Sequence, residues 1–193
     1  MPFTGLPATA AWSHQDARSG FEVVHLRQED DGCHMDGCTT AVEGDQAWFV
    51  HYEITVDPGW ATRTARITGR SAAGWHTVLL ESTGAGRWLV DGAEAPYLDG
   101  CLDVDLESSA MTNMLPVHRL ELPVGGRAAA PAAYVRATDL SVARLEQEYR
   151  RTADDGTRHR YDYSAPAFDF ACRLVYDTSG LVLSYPGIAT RFA

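Results

Sequence analysis

The sequence predicts a mainly β domain built from antiparallel strands, and three patterns lead to that prediction. Apolar and polar residues alternate with a period of two over residues 48–56 and 168–176, so each stretch has one strongly apolar face. Residues that favour tight turns separate such stretches, as at 57–59 and 91–92. Helical periodicity is scarce, and strands joined by short turns are typical of a meander of hairpins.

The alternation and the turn signals together place the strands along the chain. Strands are expected near residues 9–14, 20–28, 34–43, 46–57, 62–70, 74–82, 86–91, 101–106, 117–122, 132–136, 142–151, 157–163, 168–176 and 180–185. Several of them, such as 78–80 and 88–90, are apolar on both faces. Burial on both faces indicates that the sheet also packs against something else, which could be a helix, a ligand cavity or a partner subunit.

One helix is expected, over residues 108–115. Ser108 and Ser109 are candidate N-cap residues, and Pro116 is expected to end the helix. Residues 140–151 also fit a helix, but their alternation and the turn that follows them favour a strand.

Length and charge limit the domain organisation and the classes of partner. With 193 residues, 45% of them apolar, the chain suits a single domain over residues 1–193. The net charge of −10 argues against nucleic acid as a partner, because binding phosphates needs a basic surface. The same charge argues against docking on anionic lipid.

The sequence carries no strong signal for a membrane segment, a metal site or a nucleophile. Residues 1–12 do not resemble a secretory signal, and no apolar run is long enough to span a bilayer. A cytoplasmic location without stable membrane insertion is therefore expected, with the cysteines as free thiols. The spacing of Cys33, His34 and Cys38 does not fit a zinc site, and motifs for nucleotide binding or nucleophilic catalysis are missing. No metal or other cofactor is expected.

Acidic residues form the first group of candidate site residues. Asp103 and Asp105 are two apart on one expected strand, so their carboxylates face the same way at about 7 Å between Cα atoms. With Asp91 and Asp99 upstream, they could accept hydrogen bonds from sugar hydroxyls or form a glycosidase pair. The plainer interpretation treats these acids as solvated charges or as partners of arginines at 87 and 119, and residue chemistry alone favours it.

Aromatic residues form the second group, because indole rings stack on sugars and acyl chains. Trp48 lies on the apolar face of its expected strand and is predicted to belong to the core. Trp60 lies in a turn, where a large aromatic side chain is less often part of a core, so it is a candidate for ligand contact.

Six sequence segments are similar to a known bacterial family, the glycolipid-binding domains, once a domain of unknown function. The segments are Gly-Trp-Ala-Thr-Arg at 59–63, Gly-Arg-Trp-Leu-Val-Asp-Gly at 86–92, Leu-Asp-Gly-Cys-Leu-Asp-Val-Asp-Leu at 98–106, Thr-Asn-Met-Leu-Pro-Val-His-Arg-Leu at 112–120, Leu-Glu-Gln-Glu-Tyr-Arg at 145–150 and Gly-Leu-Val-Leu-Ser-Tyr-Pro-Gly at 180–187. The resemblance covers most of the chain. It departs from the family pattern at residues 108–111.

The resemblance implies a strongly curved, many-stranded antiparallel sheet, open and barrel-like, wrapped around a single α-helix. It also implies a tight homodimer, an acidic pocket and a remote similarity to the bacterial lipoprotein localization factors, which carry acyl chains in an apolar cavity. The family name and the pocket point to glycolipid metabolism.

The function expected from residues and resemblance together is non-catalytic binding of a glycolipid, a related amphiphile or a sugar, within cell-envelope glycolipid metabolism. In this hypothesis an apolar cavity under the sheet holds the lipid, carboxylates accept hydroxyl hydrogen bonds, tryptophans stack, and arginines orient the carboxylates or meet a phosphate. The expected ligand-binding residues are Trp60, Arg63, Trp88, Asp91, Asp99, Asp103, Asp105, Asn113, Arg119 and Tyr149. The alternatives are a glycoside or glycolipid hydrolase that uses Asp103 and Asp105, and a structural dimer without a ligand.

Overall fold

The computed structural model describes residues 3–16 and 18–192, and strands dominate it. The strands are β1 (Thr9–His14), β2 (Ser19–Glu29), β3 (Gly32–Glu43), β4 (Gln46–Val56), β5 (Thr62–Ser71), β6 (Gly74–Gly84), β7 (Arg87–Val90), β8 (Ala93–Glu94), β9 (Asp103–Leu106), β10 (Arg127–Ala129), β11 (Ala132–Val135), β12 (Val142–Leu145), β13 (Glu148–Arg151), β14 (His159–Ala165), β15 (Phe170–Tyr176), β16 (Val182–Tyr185) and β17 (Ala189–Arg191). Within the described residues the α-helix is α1 (Met114–Leu120), and 3₁₀ turns cover Pro96–Leu98, Met111–Asn113 and Pro166–Phe168.

Most strands join one large antiparallel sheet. It has 14 strands in the order β10-β13-β14-β15-β16-β17-β1-β2-β3-β4-β5-β6-β7-β8, and its two edges do not pair with each other. A second sheet of three strands has the order β12-β11-β9, with β9 and β11 parallel. The prediction of a mainly β, open, antiparallel architecture is therefore confirmed.

The alternation seen in the sequence separates an inner face of the large sheet from an outer face. On β4 the residues Trp48, Val50, Tyr52, Ile54 and Val56 are all buried, while the side chains between them are exposed or partly exposed. Each large apolar side chain buried in this way stabilises the fold by about 1.5–3 kcal/mol. Trp48 is a core residue, as predicted.

The large sheet curves around a central segment formed by β9 and α1, residues 103–120. Near one end of the sheet, the Thr62 hydroxyl accepts a hydrogen bond from the Val104 amide at 3.2 Å. Near the other end, the Tyr149 hydroxyl donates to Asn113 Oδ1 at 2.9 Å. Because β5 and β13 lie far apart in the strand order, both can reach this segment only if the sheet bends around it. The expected sheet wrapped around a helix is confirmed.

A buried acid on β2 holds the start of the helical region against the middle of the sheet. Glu22 has no exposed surface and accepts hydrogen bonds from the Tyr52 hydroxyl at 2.6 Å and from the Ala110 amide at 2.7 Å. The Ser109 hydroxyl also donates to it. Burial raises the pKa of Glu22, and these donors partly offset that effect. Without such acceptors, the polar groups of the turn before α1 would be buried unpaired.

The helix lies later in the chain than the sequence suggests. The expected helix over 108–115 and the expected strand near 117–122 are both wrong, because α1 runs through Pro116 to Leu120. Proline is tolerated there since it occupies the first turn of α1, where its missing N–H has no intrahelical acceptor. The helix ends at Leu120 and is capped by Glu121, which has a φ of 42°.

The expected strand 142–151 is two strands that belong to different sheets. β12 pairs with β11 in the small sheet, and β13 pairs with β10 and β14 in the large one. Gln147 lies between them, where its backbone carbonyl accepts from the Ala130 amide at 2.8 Å and its side-chain amide donates to Asp105. The preference for strand over helix in this region is confirmed.

No helix of the described chain is long and apolar enough to cross a membrane.

Candidate functional site

A half-open cleft of about 220 Å³ lies where β9 faces β14, β15 and β16. One part of its lining is aromatic and consists of Tyr134, Tyr163, Phe168, Phe170 and Tyr185. A second part is polar and consists of Arg18, Asp105, Glu107, Ser109 and Asn113. The cleft therefore combines ring faces with hydrogen-bonding groups, which is the combination that small-molecule sites use.

Neighbouring strands of the large sheet build the aromatic wall. The alternation of β14 turns Tyr163 inward, and its ring centre lies 6.0 Å from that of Tyr185 and 6.3 Å from that of Phe170. Phe168 is exposed and forms the rim of the cleft, with its ring centre 5.3 Å from that of Tyr134. Because the rings support one another, the wall is held in place before any ligand arrives.

Two carboxylates of the β9 region form the acidic part of the cleft. Asp105 accepts hydrogen bonds from the Thr112 hydroxyl at 3.1 Å and from the Gln147 side-chain amide. Glu107, two residues further along, accepts one from the Ala137 amide at 2.7 Å. Burial raises the pKa of Asp105 to about 6, although the two side-chain donors lower it, and the charges of Asp103 and Glu107 raise it further.

The raised pKa of Asp105 predicts how stability depends on pH. The folded protein binds this proton more tightly than the unfolded chain, whose aspartate titrates near 3.8. The contribution of Asp105 is therefore fully present below pH 4 and is lost as the pH rises to about 6. The loss amounts to about 3 kcal/mol at most, since each pKa unit corresponds to about 1.36 kcal/mol.

Urea unfolding of wild type and Asp105→Asn between pH 3.5 and 7.5 measures this contribution. Other carboxyls titrate in both proteins and cancel in the difference. The wild type should lose stability relative to the variant between pH 4 and 6, and a constant difference across that range would contradict the raised pKa.

Asp103 does not face the cleft as a free carboxylate. Arg119 on α1 donates to both of its oxygens, from Nε at 2.9 Å and from Nη2 at 2.6 Å. Only 2% of the Asp103 side chain and 14% of the Arg119 side chain are exposed. Burial lowers the pKa of Arg119, but the hydrogen bonds and charge of Asp103 raise it by more, so the guanidinium is charged. The plainer interpretation, an acid paired with Arg119, is confirmed for Asp103.

The two candidate tryptophans pack within the protein. Trp60 is partly buried and stacks on His118 of α1, with 3.9 Å between ring centres. Burial lowers the pKa of His118 to about 4, and its Nε2 lies 3.0 Å from the carbonyl oxygen of Ser179. Trp88 is buried, and its indole N–H donates to the Cys101 carbonyl at 2.9 Å. These contacts account for both indole rings as parts of the protein's own packing.

Three further candidates lie away from the cleft at turns and exposed positions. Asp91 has a φ of 51° and accepts a hydrogen bond from the Leu79 amide at 2.9 Å, which makes it a turn residue. Asp99 is exposed beside the turn at Gly100. Arg63 is exposed and lies 3.4 Å from a carboxylate oxygen of Asp31. The predicted residues therefore do not form one ring around a pocket.

The structure thus brings Asp105 and Asn113 together in the cleft, with Tyr149 directly behind Asn113. The cleft residues that sequence reasoning missed include Arg18, Glu107, Tyr163 and Tyr185. For Glu107 a signal existed, since it continues the spacing of two that Asp103 and Asp105 begin. The others come from distant parts of the chain that only the strand order brings together.

Three residues with side chains that can bind metal ions lie close together at the turn between β2 and β3. Ligand atoms of Glu29, Asp31 and His34 lie within 4.8 Å of one another. Both acids are exposed and form ion pairs with arginines. Glu29 Oε1 lies 2.6 Å from Arg27 Nε, and Asp31 Oδ2 lies 3.4 Å from Arg63 Nη1. These ion pairs explain the cluster as part of a charged surface.

A larger groove of about 690 Å³ runs over the outer face of β2–β6. Its outward-facing side chains are mostly charged or polar, and include His25, Arg27, His34, Glu53 and Arg66. It lacks an aromatic wall among its described residues. The cleft beside β9 is therefore the stronger candidate for a ligand site.

Comparison with known proteins connects the fold to a family. A crystal structure of a DUF1089 family protein from Pseudomonas aeruginosa is 32% identical, with a TM-score of 0.75 over 89% of this chain and 92% of that one. The β-barrel-like protein of domain of unknown function DUF1849 from Brucella abortus has a TM-score of 0.53 over 98% of this chain and 95% of that one. At 10% identity, that second likeness concerns the fold alone.

A search among curated proteins found no match. A family model described as "Putative glycolipid-binding" matches residues 9–191, which is nearly the whole chain. This match and the crystal structure, which has the same fold and 32% sequence identity, show that the chain belongs to the family that this model describes.

Proposed function

We propose that this protein binds the polar head group of a glycolipid in the cleft beside β9 and does not transform it. The observation that carries the proposal is the meeting of an aromatic wall with the carboxylates of Asp105 and Glu107. Ring faces pack against the apolar side of a sugar, while carboxylates accept hydrogen bonds from its hydroxyls. The family description supports the same class of ligand.

The size of the cleft favours a head group over a whole glycolipid. Its volume of about 220 Å³ is below the ~300–1,000 Å³ of pockets that enclose a drug-sized molecule, so it suits one sugar ring. The space under the sheet is filled by the central segment, where Met111, Met114 and Leu115 are fully buried. The acyl part would therefore lie outside the mouth, beside the exposed ring of Phe168, instead of under the sheet.

Simple binding is better supported than hydrolysis. The expected hydrolase pair was Asp103 and Asp105, but both oxygens of Asp103 are held by Arg119. A glycosidase needs two carboxyl groups that flank the scissile bond with one able to donate a proton, and an acid in a buried ion pair does not meet that need.

The proposal includes a homodimer that works in the cytoplasm, in the metabolism of cell-envelope glycolipids. Apolar side chains on the outer face of the large sheet support a second copy as partner. Phe21 and Phe192 are both more than half exposed, and their ring centres lie 6.3 Å apart. Val23 and Val42 are exposed as well. A patch of this kind on the surface of a soluble protein marks an interaction site.

Native mass spectrometry tests ligand and assembly together. Protein purified under mild conditions and incubated with a bacterial glycolipid extract should appear at twice the chain mass, with an added mass that fragments to a sugar. Ligand-free protein at every extract concentration would contradict head-group binding. A monomer that carries ligand would contradict only the dimer.

A further inference from the structure

We infer that the ligand of the cleft carries a negatively charged group, a phosphate or a carboxylate, which Arg18 binds while Asp105 and Glu107 hold its hydroxyls. This inference rests on the proposed function and specifies its ligand class as an anionic sugar head group. It depends on Arg18, which is the only basic side chain among the described residues that line the cleft.

Arg18 is a partly buried cation without a carboxylate partner among the described residues. Its Nη1 donates to the backbone carbonyl of Glu107 at 3.2 Å, and its Nε is buried without a hydrogen-bond partner. Its guanidinium carbon lies 5.3 Å from the ring centre of Trp48. The guanidinium of Arg18 is thus positioned by a carbonyl and a ring. Its Nε–H has no acceptor, and its charge has no carboxylate paired with it among the described residues.

Other arginines with little exposure are neutralised within the protein. Arg119 pairs with Asp103, Arg151 lies 3.0 Å from Asp154, and Arg191 pairs with Asp177. Taking an arginine out of water without a counter-charge is costly, so these pairs are expected. Arg18 departs from that pattern in a chain with 26 acidic and 16 basic residues, where a carboxylate partner would be easy to supply.

The acids nearest to Arg18 in the cleft are engaged elsewhere. Glu107 offers Arg18 its backbone carbonyl, while its carboxylate accepts from the Ala137 amide at 2.7 Å. Asp105 is held by Thr112 and Gln147. The cleft therefore contains the charge of Arg18 beside two carboxylates that do not pair with it.

A ligand that complements both Arg18 and the carboxylates has hydroxyl groups and an anionic group. The planar guanidinium donates paired hydrogen bonds to phosphate or carboxylate oxygens, and such charge-assisted bonds are stronger than neutral ones. A sugar phosphate or a uronic acid has this arrangement. A neutral sugar would leave the charge of Arg18 unpaired in a site that it closes off from water.

Calorimetric titration with matched probes tests the inference. The probes are glucose, galactose and mannose, their 1-phosphates, their uronic acids, and inorganic phosphate. At least one anionic sugar should bind tenfold or more tightly than its neutral parent. Arg18→Met, which keeps the aliphatic stem over Trp48, should abolish that advantage, whereas Arg66→Met on the outer face should keep it. Thermal unfolding of both variants checks that they fold.

The outcomes separate this inference from the proposed function. If neutral and anionic sugars bind equally, and Arg18→Met changes neither, the anionic group is wrong while sugar binding stands. If no sugar of any kind binds, the proposed function fails together with the inference. Inorganic phosphate that binds as tightly as every sugar phosphate would overturn the sugar class and leave only an anion site.

Discussion

Replacing Arg119 by methionine is expected to lower the free energy of unfolding by about 3–5 kcal/mol. The substitution leaves the Asp103 carboxylate, whose side chain is only 2% exposed, buried without its counter-charge. Both of its oxygens lose a charge-assisted hydrogen bond at once. Because this ion pair joins α1 to β9, the loss also loosens the segment around which the large sheet curves.

An exposed arginine pair provides the matched control. Arg173 donates to Asp162 at 2.7–2.9 Å, but the two side chains are 53% and 41% exposed. Arg173→Met should therefore cost less than about 1 kcal/mol. Urea denaturation of both variants at pH 7 gives the comparison, and equal losses would contradict a structural role for the buried pair. Asp103→Leu combined with Arg119→Met should recover part of the stability, because no unpaired charge is left.

The strands could be predicted because their cause is local. Alternation along β4 and β14 reflects one buried and one exposed face, and any strand with such faces shows it in its own residues. The sequence predicts the helix several residues too early because the start of the helix depends on a distant residue. Glu22 on β2 accepts hydrogen bonds from the turn at Ser109 and Ala110, and no local pattern announces that contact.

The candidate site could be predicted only where its residues are close in sequence. Asp105 and Asn113 were found because they belong to one short segment with an acidic spacing and a family resemblance. Arg18, Tyr163 and Tyr185 reach the cleft through the order β14-β15-β16-β17-β1, which pairs strands from both ends of the chain. Residue type alone could not show this pairing of strands.

Replacing Glu107 by glutamine is expected to weaken head-group binding by tenfold or more. A hydrogen bond to a charged group contributes about 1.5–3 kcal/mol, and about 1.4 kcal/mol corresponds to a factor of ten in affinity. The amide oxygen of glutamine can still accept from the Ala137 amide, so the fold should be preserved. Glu53→Gln makes the same chemical change at an exposed position of β4 and should leave the dissociation constant unchanged.

The location of the bound head group tests the whole account most directly, because every step depends on the curved sheet and β9 enclosing a usable cleft. Two-dimensional amide NMR during titration with a binding sugar phosphate measures that location. The resonances of Asp105, Glu107, Tyr163 and Tyr185 should shift in wild type and in Glu53→Gln, and should shift only at much higher concentration in Glu107→Gln. The account would be contradicted if the amide resonances that shift saturably belonged only to the outer face of β2–β6, while those of β9 and β14 did not shift.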